Sequence, residues 1–251
     1  MKNKIFHLLT IVILNFFLLS CEGKKIEIIS PGTTHNYTFQ YTDDEGKIKH
    51  SQYILSVPSI YNIEKQYPLF VTLTGGNYTV EEFHKIWKLF TDSLGVVLVT
   101  PMSEKKDSAD LAWNENSDFM ILSCMDRVAE KVNLNPDKIF VGGFYEGGTL
   151  AYKLGFKYSQ IFKGVAAISA KLPEYYKTEN LDFLKSTKFF ITAGEFESDI
   201  KPDADKALEL MIKYSILTQH IIYFNVEKGL PEPMQPELKK IVKHFFDETE
   251  K

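Results

Sequence analysis

Cysteine and surplus positive charge are both scarce in this chain. Its 251 residues include two cysteines, and 29 lysines and arginines are outnumbered by 33 aspartates and glutamates, for a net charge of −4. No stripe of basic residues is present, which argues against nucleic acid as a partner. The sequence also has no internal repeat, no cluster with metal-ligand spacing and no G-x-x-x-x-G-K-[ST] phosphate loop. We therefore predict neither a metal ion nor another cofactor.

Long apolar runs are scarce as well, and the one near the start is too short and too interrupted to span a bilayer comfortably. It follows Lys2 and Lys4 and ends in the tetrapeptide LLSC at 18–21. This pattern resembles the bacterial lipoprotein signal, in which the cysteine is acylated, for example with palmitate, and becomes the new N-terminus. We predict a signal peptide over 1–20 and a lipid anchor on Cys21 in a membrane of the cell envelope. An ordinary secretory signal that happens to contain cysteine is the alternative.

The segment 21–36 is polar, has Pro-Gly near its centre and is predicted to be a tether. The remainder, 37–251, fits one domain. With Cys21 acylated, Cys124 is the one remaining thiol, so no intramolecular disulfide can form. The domain must then rely on its core, for which 19 phenylalanines and 13 tyrosines are ample. Cys124 lies within a helical pattern near its apolar face, which predicts a buried small side chain rather than a nucleophile.

Continuous apolar runs bounded by turn residues predict the buried strands of a parallel sheet. Two alternating runs come first, joined by Asp-Asp-Glu-Gly at 43–46, and they indicate an antiparallel hairpin. Six further strands alternate with helical patterns, the first of which starts with Thr79 ahead of Glu82, as a capping box does. The order predicts an α/β fold with a mostly parallel, eight-stranded sheet flanked by helices. The connection between the sixth and seventh strands is too short for a large lid domain.

The segment IFVGGFYEGGTLAYKL, residues 139–154, leads from the fifth strand into a helix through a turn crowded with glycine. A strand–turn–helix with glycine on both sides of its tip is typical of the nucleophile elbow of hydrolases, where G-x-S-x-G is expected. Here the pentapeptide at 143–147 is Gly-Phe-Tyr-Glu-Gly, and Tyr145 stands in the place of the serine.

This elbow, the run YILSVPSIYNIEKQYPLFVTLTGG at 53–76 and the Asn-Pro-Asp turn at 135–137 resemble one branch of a known superfamily. It is the polyhydroxybutyrate-depolymerase and feruloyl-esterase-like branch of the α/β-hydrolases, and the resemblance covers 47–246. It implies the α/β-hydrolase fold and a triad made of serine at the elbow, an acid after strand seven and a histidine after strand eight. Matched onto this chain, the three positions hold Tyr145, Glu197 and either Pro231 or Glu232.

The matched positions predict a degenerate triad. A serine hydroxyl is a poor nucleophile until an imidazole takes its proton, and the resemblance places neither serine nor histidine where it is needed. The oxygen of a phenol projects farther from the backbone than that of serine, so we expect Tyr145 to plug the vacated pocket. A tyrosine nucleophile is the alternative. Glu197, with Asp199 close by, is expected to face solvent. No histidine in the sequence is a convincing base.

The loop after the third strand is altered too, because Thr-Gly-Gly-Asn at 74–77 stands where the family has a His-Gly pair. Gly75, Gly76 and the backbone N–H of Glu146 can still form an oxyanion-like loop, since glycine permits the conformations required. A carboxylate pair of Glu146 and Glu197, of the kind that glycosidases use, also stays open.

Three functions follow from these residues. The favoured one is a non-catalytic pseudo-hydrolase, anchored in the envelope, that binds a small molecule or an envelope protein. An active carboxylesterase-type hydrolase with an atypical site is the alternative, and a purely structural surface domain is the third. The fold by itself does not decide among them, because function is carried by the site.

Overall fold

The computed structural model of this chain describes residues 29–103, 113, 117–177, 180–227 and 229–246. The predicted signal peptide and Cys21 lie outside these ranges. Every helix in the described part of the chain is too short or too polar to cross a bilayer.

The fold is built on one eight-stranded sheet, as the apolar runs predict. Its strands are β1 Thr34–Thr42, β2 Ile48–Ser56, β3 Tyr67–Leu73, β4 Val97–Pro101, β5 Leu134–Phe144, β6 Gly164–Ile168, β7 Lys188–Gly194 and β8 Thr218–Tyr223. They lie in the order β1-β2-β4-β3-β5-β6-β7-β8. The β1–β2 and β2–β4 pairs are antiparallel, and all the other pairs are parallel.

Helices cover both faces of the sheet, which is why the central strands can be apolar on both sides. The helices are α1 Val80–Ser93, α2 Ser117–Ala129, α3 Tyr145–Lys157, α4 Lys201–Lys213 and α5 Gln235–Phe246. Buried side chains of α1 and α5 form one core with one face of the sheet, and those of α2, α3 and α4 form a second core on the other. Every residue of β4 and of β6 is buried between them. Cys124 is buried in α2, as predicted.

The start of α1 shows that local sequence determines where this helix begins. The Thr79 side chain accepts from the backbone N–H of Glu82 at 3.2 Å, and the Glu82 carboxylate accepts from the backbone N–H of Thr79 at 3.0 Å. The capping box read from the sequence is therefore confirmed. Between β6 and β7 the described residues form two short 3-10 turns, Glu174–Lys177 and Asp182–Leu184, rather than a lid.

The two ends of the sheet are distinguished by the direction of its parallel strands. We call the end at which the parallel strands begin the amino edge, and the end at which they finish the carboxyl edge. The turn that joins β5 to α3 lies at the carboxyl edge. The first residue of β1 lies at the amino edge, because Thr34 pairs with Ser56 and Ser56 pairs with Leu98 near the start of β4.

The folded part of the chain begins earlier than the predicted boundary at residue 37. The first strand starts at Thr34, and Ile29 is already buried in the core with 4% of its surface exposed. Gly32 donates its backbone N–H to the carbonyl of Pro58 at 3.1 Å. The second half of the predicted tether therefore packs against the domain.

A chain of hydrogen-bonded side chains crosses the sheet beneath α1. Thr34 Oγ1 lies 2.7 Å from Ser56 Oγ, and Ser56 Oγ lies 2.7 Å from Nε2 of His84. Nδ1 of His84 lies 2.8 Å from Thr100 Oγ1, which in turn lies 2.6 Å from Thr72 Oγ1. Burial lowers the pKa of His84 to about 3, so this imidazole is neutral in the folded protein.

Candidate functional site

The turn from β5 into α3 has the geometry of a strained elbow. Tyr145 follows the last residue of β5 and has φ of 50°, in the left-handed region that side chains with a β-carbon rarely adopt. Such a conformation costs of the order of 1–3 kcal/mol and persists only where the surroundings enforce it. The strand–turn–helix predicted around position 145 is therefore present, with its characteristic strain.

Glycines allow the loop after β3 to press against this elbow. A β-carbon at Gly147 would lie 2.2 Å from the carbonyl oxygen of Leu73, and one at Gly75 would lie 1.8 Å from the carbonyl oxygen of Phe144. Real β-carbons do not approach so closely, so glycine is needed at both positions. The close contact holds the loop that carries Gly75 and Gly76 directly beside Tyr145.

The ring of Tyr145 lies between two loops of the carboxyl edge. A β-carbon at Gly76, after β3, would be 2.8 Å from both Cδ2 and Cε2 of this ring, and one at Gly229, after β8, would be 3.1 Å from its hydroxyl oxygen. The side chain is half-buried. Desolvation, followed by the charges of Glu197 and then of Glu146, raises the pKa of Tyr145 to about 12. The phenol is therefore protonated at neutral pH.

Glu197 is buried, so the expectation that it faces solvent is wrong. It follows β7, with 5% of its surface exposed. Its Oε2 accepts from the hydroxyl of Ser169 at 2.7 Å and from the backbone N–H of Gly194 at 2.7 Å, and its Oε1 accepts from the N–H of Gly229 at 3.4 Å. Groups from the ends of β6, β7 and β8 supply these donors, which is why the carboxylate can leave water.

Ser169 is the residue of this cluster that sequence reasoning missed. It directly follows β6, has φ of 49° and is fully buried. Its hydroxyl donates to Glu197 and accepts from the N–H of Gly229 at 3.0 Å. The one signal in the sequence was a serine immediately after a buried strand, at the edge where open α/β sheets place their polar groups.

The loop after β8 contributes a backbone N–H to the site, and the position matched to a basic histidine does not supply one. Gly229 has φ of 74° and brings its N–H to both Ser169 and Glu197. Glu232, the position that the resemblance matches to the histidine, is exposed, and its charge adds to the effect of burial in raising the pKa of Tyr78. Pro231 is half-buried. The loop after β8 therefore contributes one backbone donor to Glu197, beside the donors of Ser169 and Gly194.

A backbone N–H of the predicted oxyanion-like loop is already bonded to a carboxylate of the protein. Oε2 of Glu146 accepts from the backbone N–H of Gly76 at 3.1 Å. Gly76 has φ of 64°, which points this N–H toward the elbow, while Gly75 packs beneath it. The carbonyl of Thr74 accepts from the indole N–H of Trp113 at 2.8 Å and so steadies the loop. One donor that could bind an oxyanion is thus taken by the protein itself.

The described histidines are placed away from this cluster. His84 belongs to the buried chain beneath α1, and His244 packs against Phe190 with ring centroids 5.7 Å apart. His220 is the third residue of β8, and its Nε2 lies 3.7 Å from a carboxylate oxygen of Asp205 on α4. His35 and His50 lie on β1 and β2. Within the described residues no three metal-ligating side chains come together.

Comparison with known proteins gives no matching family model and no matching curated protein. Solved structures do match. A ferulic acid esterase is 17% identical with a TM-score of 0.63, and the alignment covers 85% of this chain and 98% of that one. The S-formylglutathione hydrolase of Agrobacterium tumefaciens is 14% identical with a TM-score of 0.65, covering 88% of this chain and 98% of that one.

A longer protein also matches. A Bacteroides ovatus protein provisionally described as a dipeptidyl aminopeptidase IV is 16% identical with a TM-score of 0.68, over 86% of this chain. This chain spans only 36% of that protein. At these identities the likeness shows the fold alone. The eight-stranded sheet with flanking helices, predicted from the sequence as an α/β-hydrolase fold, is confirmed, and the described residues form no large lid.

Proposed function

We propose that this chain, which has the α/β-hydrolase fold, is a membrane-anchored lipoprotein of the cell envelope that binds a ligand or partner without hydrolysing esters. The ring of Tyr145, seated between Gly76 and Gly229, is the observation that carries the proposal. It occupies the space above the elbow in which an acyl carbonyl has to sit when a serine attacks it. The degenerate triad read from the sequence and the lipid anchor on Cys21 are both parts of this proposal.

Ester hydrolysis needs three things at the carboxyl edge: an activated nucleophile, a base and free oxyanion donors. Here the N–H of Gly76 is engaged by Glu146, and the Glu197 carboxylate is engaged by Ser169, Gly194 and Gly229. One oxyanion-like donor and the acid after strand seven are thus each bonded to other groups of the same protein. The cluster acts as a closed structural unit.

The same geometry argues against the alternative in which Tyr145 is the nucleophile. An attacking phenol has to lose its proton, so a working site lowers its pKa or places a base beside it. Burial and the neighbouring carboxylates act in the opposite direction and raise the pKa of Tyr145 to about 12. Glu197 and Glu146, the proposed glycosidase-like pair, flank this phenol and are already bonded elsewhere.

The rim of the carboxyl edge offers a surface for binding. Phe196, after β7, is 59% exposed, and Phe224, after β8, is 77% exposed. Their loops are joined, because the N–H of Glu195 donates to the carbonyl of Tyr223 at 3.0 Å and that of Phe196 donates to Val226 at 3.4 Å. Large exposed aromatic side chains on adjacent, mutually bonded loops are typical of binding surfaces. This favours a binding role over a purely structural one.

We expect no turnover of short acyl esters by the protein, and no labelling by serine-directed phosphonates. Tyr145→Ser alone should also be inactive, because a hydroxyl without a base contributes far less than an assembled triad. The measurement is p-nitrophenyl acetate hydrolysis above the buffer rate, with an active serine esterase as the positive standard. Tyr145→Phe is the matched control, since it keeps the ring and removes the hydroxyl. Hydrolysis by the wild type that disappears in Tyr145→Phe would make Tyr145 the nucleophile and refute the proposal.

The proposed lipid anchor on Cys21 is tested separately from ester hydrolysis. Cys21→Ala should move the protein from the membrane fraction to the soluble fraction, because two or more acyl chains hold a protein firmly and the substitution removes the thiol that carries them. Mass spectrometry of the wild type should find a mature chain that begins at Cys21 and carries acyl chains. Cys124→Ala is the control and should leave the fractionation unchanged. An intact N-terminus, or an unmodified Cys21, would contradict the anchor and leave the prediction on ester hydrolysis standing.

A further inference from the structure

The point at which the chain enters the fold is fixed. Ile29 is buried in the core, and the N–H of Gly32 is bonded to Pro58 in the turn before β3. Thr34 then opens β1 opposite Ser56. Gly32 and Thr34 lie at the amino edge, and Ile29 precedes them by only three and five residues, so the tether leaves the domain near the end of the sheet opposite to Tyr145.

The tether can reach only about as far as the sheet is high. Seven residues lie between Cys21 and Ile29, and the eight steps from Cys21 to Ile29 span at most ~29 Å at full extension. The eight steps from the first to the last residue of β1 rise ~27 Å from the amino edge to the carboxyl edge, and the turn at 43–46 follows the end of this strand. A tether attached at the amino edge therefore brings the carboxyl edge against a membrane that holds Cys21 only when it is stretched to nearly its full length along the domain.

The charge of the carboxyl edge also disfavours its contact with a membrane. The turn between β1 and β2 and the loop after β7 give the carboxyl edge an acidic rim, with the carboxylates Asp43, Asp44, Glu45, Glu195 and Asp199. Lys47 and Lys171 offset part of this charge through ion pairs with Glu45 and Asp199. Anionic headgroups repel such a surface.

The amino edge is less acidic than the carboxyl edge and exposes an apolar side chain. Its turns before β3, β5 and β6, with the first residues of β5, carry four lysines and three carboxylates, and Asp92 at the end of α1 accepts from the N–H of Ser59 in the turn before β3. The amino edge is therefore close to neutral where the carboxyl edge is acidic. Ile60, beside the point where the chain enters the fold, is 67% exposed. Exposed apolar and cationic side chains together are suited to an anionic lipid interface.

We infer that the amino edge of the sheet faces the anionic lipid surface and that the carboxyl edge, with Tyr145, Phe196 and Phe224, points away from the membrane. The inference rests on the proposed lipid anchor. It deepens the proposed function by restricting the partner to molecules that approach from the aqueous side. A molecule embedded in the same leaflet cannot reach the binding rim.

Fluorescence quenching from the membrane surface tests this orientation in the full lipidated protein. Ile60→Cys reports on the amino edge and Phe224→Cys on the carboxyl edge, each labelled with a fluorescent maleimide. Cys124 is fully buried and does not compete for the label. The proteins are placed in vesicles of phosphatidylethanolamine and phosphatidylglycerol that contain a headgroup spin-labelled lipid. We expect quenching at position 60 and unchanged emission at position 224.

The outcomes separate this inference from the anchor it rests on. Equal quenching at both positions, or quenching at 224 alone, in a protein whose acylation is shown by mass spectrometry overturns the orientation and leaves the anchor intact. A protein that does not co-sediment with vesicles and carries no lipid overturns both. Lys65→Cys, in the same turn as Ile60, is the second reporter if Ile60→Cys fails to fold.

Discussion

Glu197→Ala is expected to lower the free energy of unfolding by about 3 kcal/mol, because it leaves three buried donors without their acceptor. These donors are the hydroxyl of Ser169 and the N–H groups of Gly194 and Gly229. Each unsatisfied buried donor costs about 1–3 kcal/mol. The sum is reduced because Gly229 also bonds to Ser169 Oγ at 3.0 Å, a contact that survives the change.

The matched control for this change is Asp199→Ala, two residues along the same loop. The side chain of Asp199 is 71% exposed and pairs with Lys171 at 3.3 Å on the surface. Exposed ion pairs contribute little, so the control should stay within about 0.5 kcal/mol of the wild type. Urea unfolding followed by the fluorescence of the buried Trp87 measures both variants. If the two variants lose equally little, Glu197 is solvated in solution and the buried cluster does not exist.

The stability of the protein should also fall steeply in mild acid. The pKa of His84 is lowered from 6.5 to about 3, chiefly by burial, with a further contribution from the charge of Lys88. The unfolded chain therefore binds more protons than the folded chain between these two values. The stabilisation is complete above pH 6.5 and is lost as the pH falls toward 3. Between pH 7.5 and pH 5 this single group should cost about 2 kcal/mol.

His84→Gln isolates this effect. Glutamine can still bond to Ser56 or to Thr100 but does not titrate in this range, so the variant should be less stable at pH 7.5 and less sensitive to acid. Burial also lowers the pKa of His220, and because this residue is present in both proteins its contribution cancels in the difference. The measurement is the free energy of unfolding at several pH values between 5 and 7.5. Identical pH slopes in both proteins would show that His84 is protonated without penalty.

The framework of the fold could be predicted because its signals are local. Continuous apolar runs mark strands buried on both faces, the glycines at 143 and 147 mark the elbow, and Thr79 with Glu82 marks the start of α1. Each signal lies within a few residues of the feature it determines. The same holds for Cys124, whose place on an apolar helical face is enough to predict its burial.

The environment of Glu197 could not be predicted, because the groups that bury it are remote in sequence. Ser169 lies 28 residues before it and Gly229 lies 32 residues after it. Only the ends of three neighbouring strands bring them together. The resemblance to esterases only matches Glu197 by its place in the sequence to an acid of the family, and it gives no sign of whether a histidine or a backbone N–H satisfies the carboxylate. The partners of His84 could not be predicted either, because they lie on β2 and β4 and are remote from it in sequence.

The boundary of the tether was missed for a related reason. The segment before residue 37 is polar, and polarity alone predicts a linker. Its last residues are nevertheless held by pairing, since Thr34 meets Ser56 across the first rung of the sheet. Edge strands often alternate polar and apolar residues because one face is solvated, so composition cannot separate them from a linker.

The place where the chain enters the sheet has a mechanical consequence. If a molecule held at Phe196 and Phe224 is drawn away from a membrane that holds Cys21, the tension passes through Ile29 into β1 and runs along the axis of this strand. The bonds between β1 and β2 lie across that axis, so the nine paired positions from Thr34 to Thr42 are loaded in shear, all at once, instead of being peeled apart one after another. An edge strand that is weak against peeling is thereby loaded in the direction in which its bonds resist together.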